Sequence, residues 1–179
     1  MKKIYFVRHG ETEANVNNII AGGEYESPLT KNGKSQARKA GQKLKLKNID
    51  SIVCSPMERT IDTATIIAKE IGISLKDIII DEAFVEVYNA YYSGKSYETL
   101  RRHIEEGRLV DDIEKPDSVK ARVQEGMNRI KKLPGQNIVL VSHGATGRMV
   151  RAVINNIPHH DFMDHEKFEN AEIYEFELD

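Results

Sequence analysis

The sequence has one cysteine, Cys54, and no tryptophan among its 179 residues. A lone thiol forms no intramolecular disulfide, so the fold is held by its core and not by cross-links. Cys54 ends an apolar run and reads as a small buried hydrophobe, not a reactive thiol. A basic excess is also missing: 26 Lys and Arg stand against 28 Asp and Glu, for a net charge of −2 and a pI of about 6.3. That balance argues against a nucleic-acid partner, which calls for a basic face. No apolar run approaches the ~20 residues that cross a bilayer. The apolar stretch after Met1-Lys2-Lys3 is too short for a signal peptide. A cytoplasmic protein with no membrane partner is expected. Repeats and low-complexity segments are absent. The length fits a single domain, 1–179, large enough to bury an α/β core without staples.

What the chain does have is three apolar runs, each ending in a polar motif. Ile4-Tyr5-Phe6-Val7 leads into Arg8-His9-Gly10-Glu11-Thr12. Ser51-Ile52-Val53-Cys54 leads into Ser55-Pro56-Met57-Glu58-Arg59-Thr60. Ile138-Val139-Leu140-Val141 leads into Ser142-His143-Gly144-Ala145. Continuous short apolar runs are the mark of strands buried on both faces, and open α/β sheets bind ligands at the carboxyl ends of their strands. If the three strands are parallel neighbours, Arg8, His9, Arg59 and His143 meet in one crevice. Two guanidinium forks there suit a phosphate, whose oxygens they match bidentately.

Between these runs the pattern is helical. Thr30 is a candidate N-cap for a helix with Ala37, Ala40, Gly41 and Leu44 on one face. Ser55-Pro56 opens the next helix, with Pro56 at its first position; Met57, Ile61, Ala64, Ile67, Ala68 and Ile71 trace its apolar face, and Gly72 ends it. Arg59 falls in its first turn, beside N–H groups that favour anions. Ile78-Ile79-Ile80 reads as a further buried strand. Residues 96–108 and 118–132 read as helices, the second stopped by Pro134-Gly135. Ile173, Tyr174, Phe176 and Leu178 suggest a final antiparallel edge strand. The expected architecture is a three-layer α/β/α sandwich with a mainly parallel sheet and a small cap, about residues 84–117, over the carboxyl ends of the strands.

These motifs resemble those of the histidine phosphatase superfamily, the phosphoglycerate-mutase-like proteins, on its phosphatase branch. Arg8-His9-Gly10-Glu11-Thr12 with Asn15 is similar to the first signature. Ser27-Pro28-Leu29-Thr30-x-x-Gly33-x-x-Gln36-Ala37 is similar to the connector, Ser55-Pro56-x-x-Arg59-Thr60-x-x-Thr63-Ala64 to the second block, and Ser142-His143-Gly144 to the third. The four blocks occur in the family's order and span nearly the whole chain.

The resemblance implies phosphomonoester hydrolysis without a metal or other cofactor. His9 would be the nucleophile that forms a phosphohistidine. Arg8, Arg59 and His143 would stabilise the phosphoryl oxygens, with Asn15 and the backbone N–H of Ala145, after Gly144, as neutral donors. The acid/base would be Glu86, which precedes Gly94 by the family's spacing with Tyr92 at the aromatic position; Glu82 is the competitor, since Ala90 and Ser93 depart from the pattern. Gly22 and Gly23 are expected to line the phosphate side. The family's Arg and Gln are absent from residues 20–26, which leaves that wall less cationic. The substrate would be a small phosphorylated metabolite; neither its identity nor the oligomeric state is legible. A phosphoglycerate mutase and a non-catalytic phospho-ligand or docking module are the competing readings. Residues 87–100 carry only one cation, Lys95, which favours hydrolysis over mutase chemistry. His159, His160, Asp161, Asp164 and His165 match no standard ligand pattern and read as a solvated loop. The tyrosines at 88, 91, 92 and 97 either line the pocket or pack the cap.

Overall fold

A computed structural model describes residues 1–179. Five strands form one sheet: β1 (Lys2–Arg8), β2 (Ser51–Cys54), β3 (Ile78–Ile80), β4 (Asn137–Ser142) and β5 (Ile173–Leu178), in the order β3-β2-β4-β1-β5. All neighbours are parallel except β1 and β5. Central β4 lies between β1 and β2, with Arg8 opposite Ser142 and Cys54 opposite Val141. The three sequence motifs therefore leave the sheet side by side.

Alternation along the strands divides the core between two faces. Ile4 and Phe6 of β1 join Val53, Ile138 and Leu140 on one side, where α5 (Pro116–Lys132) and α6 (Gly144–Ile154) pack through Val123, Met127, Met149 and Val150. Tyr5 and Val7 join Ile52, Val139 and Val141 on the other, covered by α2 (Lys31–Leu44) and α3 (Glu58–Ile71) through Ala40, Leu44, Ala64 and Ile67. The short helices are α1 (Glu13–Val16) and α4 (Tyr97–Glu105). This is the expected three-layer sandwich, antiparallel edge included. No helix is long and apolar enough to cross a membrane.

Two local expectations need correction. The isoleucines of β3 are not a buried strand: β3 is the edge of the sheet, and Ile79 and Ile80 are exposed. Pro56 is not the first residue of α3 but precedes the N-cap, Met57. The turn it occupies is closed by Thr60 Oγ1, which donates to the carbonyls of Ser55 and Met57.

The cap is stitched to the segment after α1. Ile20 N–H donates to Lys95 O, Gly94 N–H to Ile20 O and Tyr97 N–H to Asn18 O. Tyr92, wholly buried, packs inside it, its hydroxyl 3.1 Å from His103 Nδ1. Tyr88 and Tyr91 are exposed, and only Tyr97 borders the crevice.

Candidate active site

Gly10 lets the first motif leave the sheet closely. A Cβ on Gly10 would stand 2.5 Å from Gly33 O, and one on Gly33 would stand 2.0 Å from Glu11 O. The His9 loop is thereby seated on the start of α2, which explains why both motifs carry glycine. Gly10 N–H donates to Thr63 Oγ1, tying the loop to α3 as well.

His9 is 4% exposed, and its Nδ1 lies 2.8 Å from its neighbour's carbonyl, Gly10 O. A carbonyl only accepts, so Nδ1 carries the proton and Nε2 carries the lone pair. Burial, followed by the charges of Arg59 and Arg8, holds the imidazole pKa well below its ordinary value, so the ring is neutral. Arg8 donates from Nη1 to Phe168 O at 2.9 Å, while its buried Nε has no partner. An unsatisfied buried guanidinium N–H is costly unless a ligand takes it up.

Arg59, 1% exposed, reaches in from the first turn of α3. Its Nε donates to His143 Nδ1 (3.2 Å), Nη1 to Tyr25 O (3.1 Å) and Nη2 to Gly22 O (2.8 Å). Glu26 Oε2 lies 3.6 Å from Nη1. Gly22 thus presents its carbonyl to Arg59. Gly23 is a close-approach position, since a Cβ there would stand 2.7 Å from Glu86 O.

His143 is fully buried, edge-on to His9 with ring centroids 5.4 Å apart. With Nδ1 accepting from Arg59, Nε2 carries the proton, 2.8 Å from Ser55 Oγ. Burial, then Arg59, His9, Arg8 and Arg122, keep this ring neutral too. Both its nitrogens are engaged by protein, so it orients Arg59 and reaches an oxyanion only if one contact yields. Ser55 stands in the motif, but its contact with His143 is a feature of the fold that spacing does not reveal.

Glu86 is held by contacts on both sides. The segment before it is fixed by Asp81 against Arg129, by Phe84 O accepting from Ser142 Oγ, and by Arg122 Nη1, which donates to both Ala83 O and Val85 O at 2.8 Å. Glu86 then caps α6: its carboxylate accepts from Ala145 N–H (3.2 Å), Thr146 N–H (2.9 Å) and Thr146 Oγ1 (3.1 Å). Ala145 N–H, expected to face phosphate, serves this carboxylate instead. Its competitor, Glu82, is exposed and lines a separate groove with Ile79, Ile80 and Arg129.

A cavity of about 590 Å³ opens beside these groups, lined by Arg8, Asn15, Glu86, Gly144 and Ala145, and further out by Asn18, Tyr97, Arg148, Met163, Lys167, Phe168 and Asn170; the buried His9, Arg59 and His143 are not part of its lining. Asn15 Oδ1 accepts from Thr12 N–H and Asn170 Nδ2, which leaves its Nδ2 donor unengaged. Asn170, absent from every motif, also donates to His9 O at 2.9 Å and so braces the histidine backbone. Arg148 has a retrospective signal: it is three residues after Ala145, on the same face of α6.

The surface histidines fall outside this cavity. His159 Nε2 contacts Asp117 Oδ1 at 2.7 Å, and His160 lies beside them. Asp161, Asp164 and His165 do not join that group.

Comparison with known proteins decides the family. Residues 4–179 match the model of the histidine phosphatase superfamily (branch 1). The chain belongs to that superfamily. Within the histidine phosphatases, it is 35% identical over 167 residues to "probable phosphoglycerate mutase GpmB" of Enterobacter sp. (strain 638), covering 86% of this chain and 75% of that one. It is 32% identical over 172 residues to the protein of the same name from Photorhabdus laumondii, covering 89% and 78%. In structure it resembles the α-ribazole phosphatase of Shigella flexneri, with a TM-score of 0.83 and 21% identity over 99% of this chain and 91% of that one. It is likewise similar to a mycobacterial glucosyl-3-phosphoglycerate phosphatase solved with VO3, with a TM-score of 0.85 and 20% identity over 98% and 90%. Those two likenesses speak to the fold.

Proposed function

We propose that this protein hydrolyses phosphomonoesters through a phosphohistidine on His9, with Glu86 as general acid and base. One observation carries the reading. His9 is locked as the tautomer with a free Nε2 lone pair, next to an arginine with an unpartnered buried N–H, and Glu86 lines the same cavity as that arginine.

Nε2 of His9 attacks phosphorus, the phosphorus–ester oxygen bond breaks, and the Glu86 carboxyl gives its proton to the departing alkoxide. Water then attacks the phosphohistidine, its proton returns to Glu86, and phosphate and neutral His9 are regenerated. Arg8 Nε and Asn15 Nδ2 are the free donors for the phosphoryl oxygens, and Arg59, with two of its five N–H groups not engaged by protein, supports them. To act as a proton carrier, Glu86 must loosen from the N-terminus of α6, and the arriving phosphoryl dianion is the natural competitor for those N–H groups. No step calls on a metal ion.

The test is turnover of a panel of phosphomonoesters in EDTA, wild type beside His9→Ala. Hydrolysis by the wild type that falls by about 10⁴ or more in the variant is expected. Undiminished turnover in His9→Ala, or its loss on chelation, overturns the reading. Mutase chemistry is favoured by one observation, the name of the relatives at about a third identity. It is separated by following the phosphoryl group: release to water supports hydrolysis, and transfer to a second hydroxyl supports the mutase. A docking module on the same fold binds phosphate and turns over nothing.

A further inference from the structure

Two amide side chains meet beside the nucleophile, and their backbone neighbours decide which way each one points. Thr12 N–H only donates, so the end of Asn15 that faces it at 3.1 Å is Oδ1. The carbonyl of His9 only accepts, so the end of Asn170 that faces it at 2.9 Å is Nδ2. The other hydrogen of that Nδ2 goes to Asn15 Oδ1 at 3.2 Å. Both lone pairs of Asn15 Oδ1 are thereby used, and its Nδ2 is left free on a side chain that lines the cavity. Asn170 therefore ties the backbone of the nucleophile to the amide that serves as a phosphate donor.

The backbone is strained where it holds Asn170. Residues 169–172 make a tight turn, closed by Glu172 N–H to Glu169 O at 3.4 Å. In it Ala171, with φ 55°, takes the left-handed conformation, which a residue with a Cβ seldom adopts. Its methyl is buried on the Tyr5 and Val7 side of the sheet. The turn is pinned from both sides. Phe168 is buried against Phe6 and Tyr174, and its carbonyl accepts from Arg8 Nη1 at 2.9 Å. Ala171 N–H donates to Arg8 O, also at 2.9 Å. A strained residue held in place by its surroundings, next to a side chain aimed into a site, points to a functional constraint on that side chain.

Building on the phosphatase reading, we propose that Asn170 is a positioning residue: it sets the His9 backbone and Asn15 Nδ2 relative to each other, so that nucleophile and neutral donor meet on one phosphoryl group. Its two hydrogen bonds have separable effects. The bond to Asn15 acts on phosphate affinity, because it fixes a donor to the phosphoryl oxygens. The bond to His9 acts on the attack itself, because it fixes the backbone from which the imidazole projects.

Asn15→Ala, Asn170→Ala and the double variant are compared with wild type in two measurements, with urea unfolding to show that each is folded. The first is the dissociation constant of inorganic phosphate by calorimetry. Asn15→Ala weakens binding about tenfold, the loss of one hydrogen bond to an anion. Asn170→Ala weakens it by about threefold or more in the wild-type background and adds nothing to Asn15→Ala, because the amide it steers is gone. The second is kcat for p-nitrophenyl phosphate, whose leaving group needs no proton from Glu86. Asn170→Ala lowers it about tenfold in both backgrounds, through His9. Asn170→Ser, whose single hydroxyl proton serves at most one of the two acceptors, repeats the comparison should the alanine variant unfold. A residue that only packs would weaken phosphate binding equally with and without Asn15. That result, or a kcat within about twofold of wild type, overturns the proposal. Absence of any turnover by the wild type overturns the phosphatase reading instead, and the phosphate-binding cycle still decides the role of Asn170.

Discussion

Arg122 is the residue on which the position of Glu86 depends, and its removal makes a quantitative test. The guanidinium meets Glu114 in a two-point pair, Nε to Oε1 and Nη2 to Oε2 at 2.9 Å each, while Nη1 serves the carbonyls of Ala83 and Val85. The two side chains are 17% and 10% exposed, so water replaces little of this. Truncating one partner of a buried pair costs about 3–5 kcal/mol; partial exposure places Arg122→Met near the lower end, about 3 kcal/mol. With a urea m-value of about 2 kcal/mol/M, the midpoint moves down by about 1.5 M. Adding Glu114→Gln removes the stranded charge while keeping an acceptor for Tyr88 N–H, and recovers about 1–2 kcal/mol. The pH dependence has a definite sign. Burial pushes the Glu114 carboxyl up, but the hydrogen bonds and charge of Arg122, with Tyr88 N–H and Ser118, hold it below its ordinary value. A depressed carboxylate stabilises above its unfolded pKa of about 4.3 and loses that contribution as pH falls through its folded pKa. The stability gap between wild type and Arg122→Met therefore closes below about pH 4.3. Far-UV circular dichroism in urea at pH 7, 5, 4 and 3 reads all three quantities. A cost under about 1 kcal/mol, a gap independent of pH, or a double variant as unstable as the sum of the singles refutes the argument. Kinetics gives a second readout: with the carbonyls on either side of Phe84 freed, turnover of alkyl phosphates falls by about tenfold as Glu86 loses its placement.

Three further outcomes are expected. Glu86→Gln lowers turnover of alkyl phosphates by about 10²–10⁴ but that of p-nitrophenyl phosphate only slightly, because nitrophenolate leaves without a proton; equal losses move the acid elsewhere. Ser55→Ala leaves the Nε2 proton of His143 buried without its acceptor and costs about 1–3 kcal/mol in urea unfolding; a neutral result means that the imidazole has turned. Cys54 is fully buried, and burial pushes its thiol up to about 12, so a disulfide-exchange reagent labels it only as fast as the protein unfolds; rapid labelling of the folded protein contradicts the core packing.

Much of the fold is legible because the physics is local. β1, β2 and β4 are buried on both faces, and a strand without a wet face shows as an unbroken apolar run. Ile78-Ile79-Ile80 has the same appearance and the opposite location. Composition does not encode which strand stands at the edge, and β3 reaches only β2. The site divides in the same way. His9 and Arg59 are anchored by their own motifs and are visible as spacing. Glu86 is preferred to Glu82 in the sequence by its spacing to Gly94, but how the segment between them is seated depends on Arg122, Ser142 and Thr146, all distant in sequence. Ala145 and Gly22 illustrate the limit: their positions are legible, but which partner takes the N–H of one and the carbonyl of the other depends on neighbours that spacing cannot place.

The two buried histidines make a last prediction, and stability is a better measure of it than rate. Burial, then neighbouring arginines, holds both His9 and His143 well below their ordinary pKa. In the unfolded chain each takes up a proton near pH 6.5. Between that pH and the folded pKa values the unfolded state binds more protons, so stability must rise with pH there. Each ring contributes a slope approaching 1.4 kcal/mol per pH unit, and the pair about 2.7. Activity is a poor gauge over this range, because a substrate phosphate also changes charge near pH 6. Urea midpoints at pH 7.0, 6.0 and 5.5 in the absence of substrate isolate the protein's own contribution. His9→Asn and His143→Asn should each remove about half of the slope. A midpoint that stays level from pH 7 to 5.5 means that the rings take up protons inside the fold. A protonated His9 has no lone pair for phosphorus, so that one result would also withdraw the nucleophile from the proposed reaction below about pH 6.5.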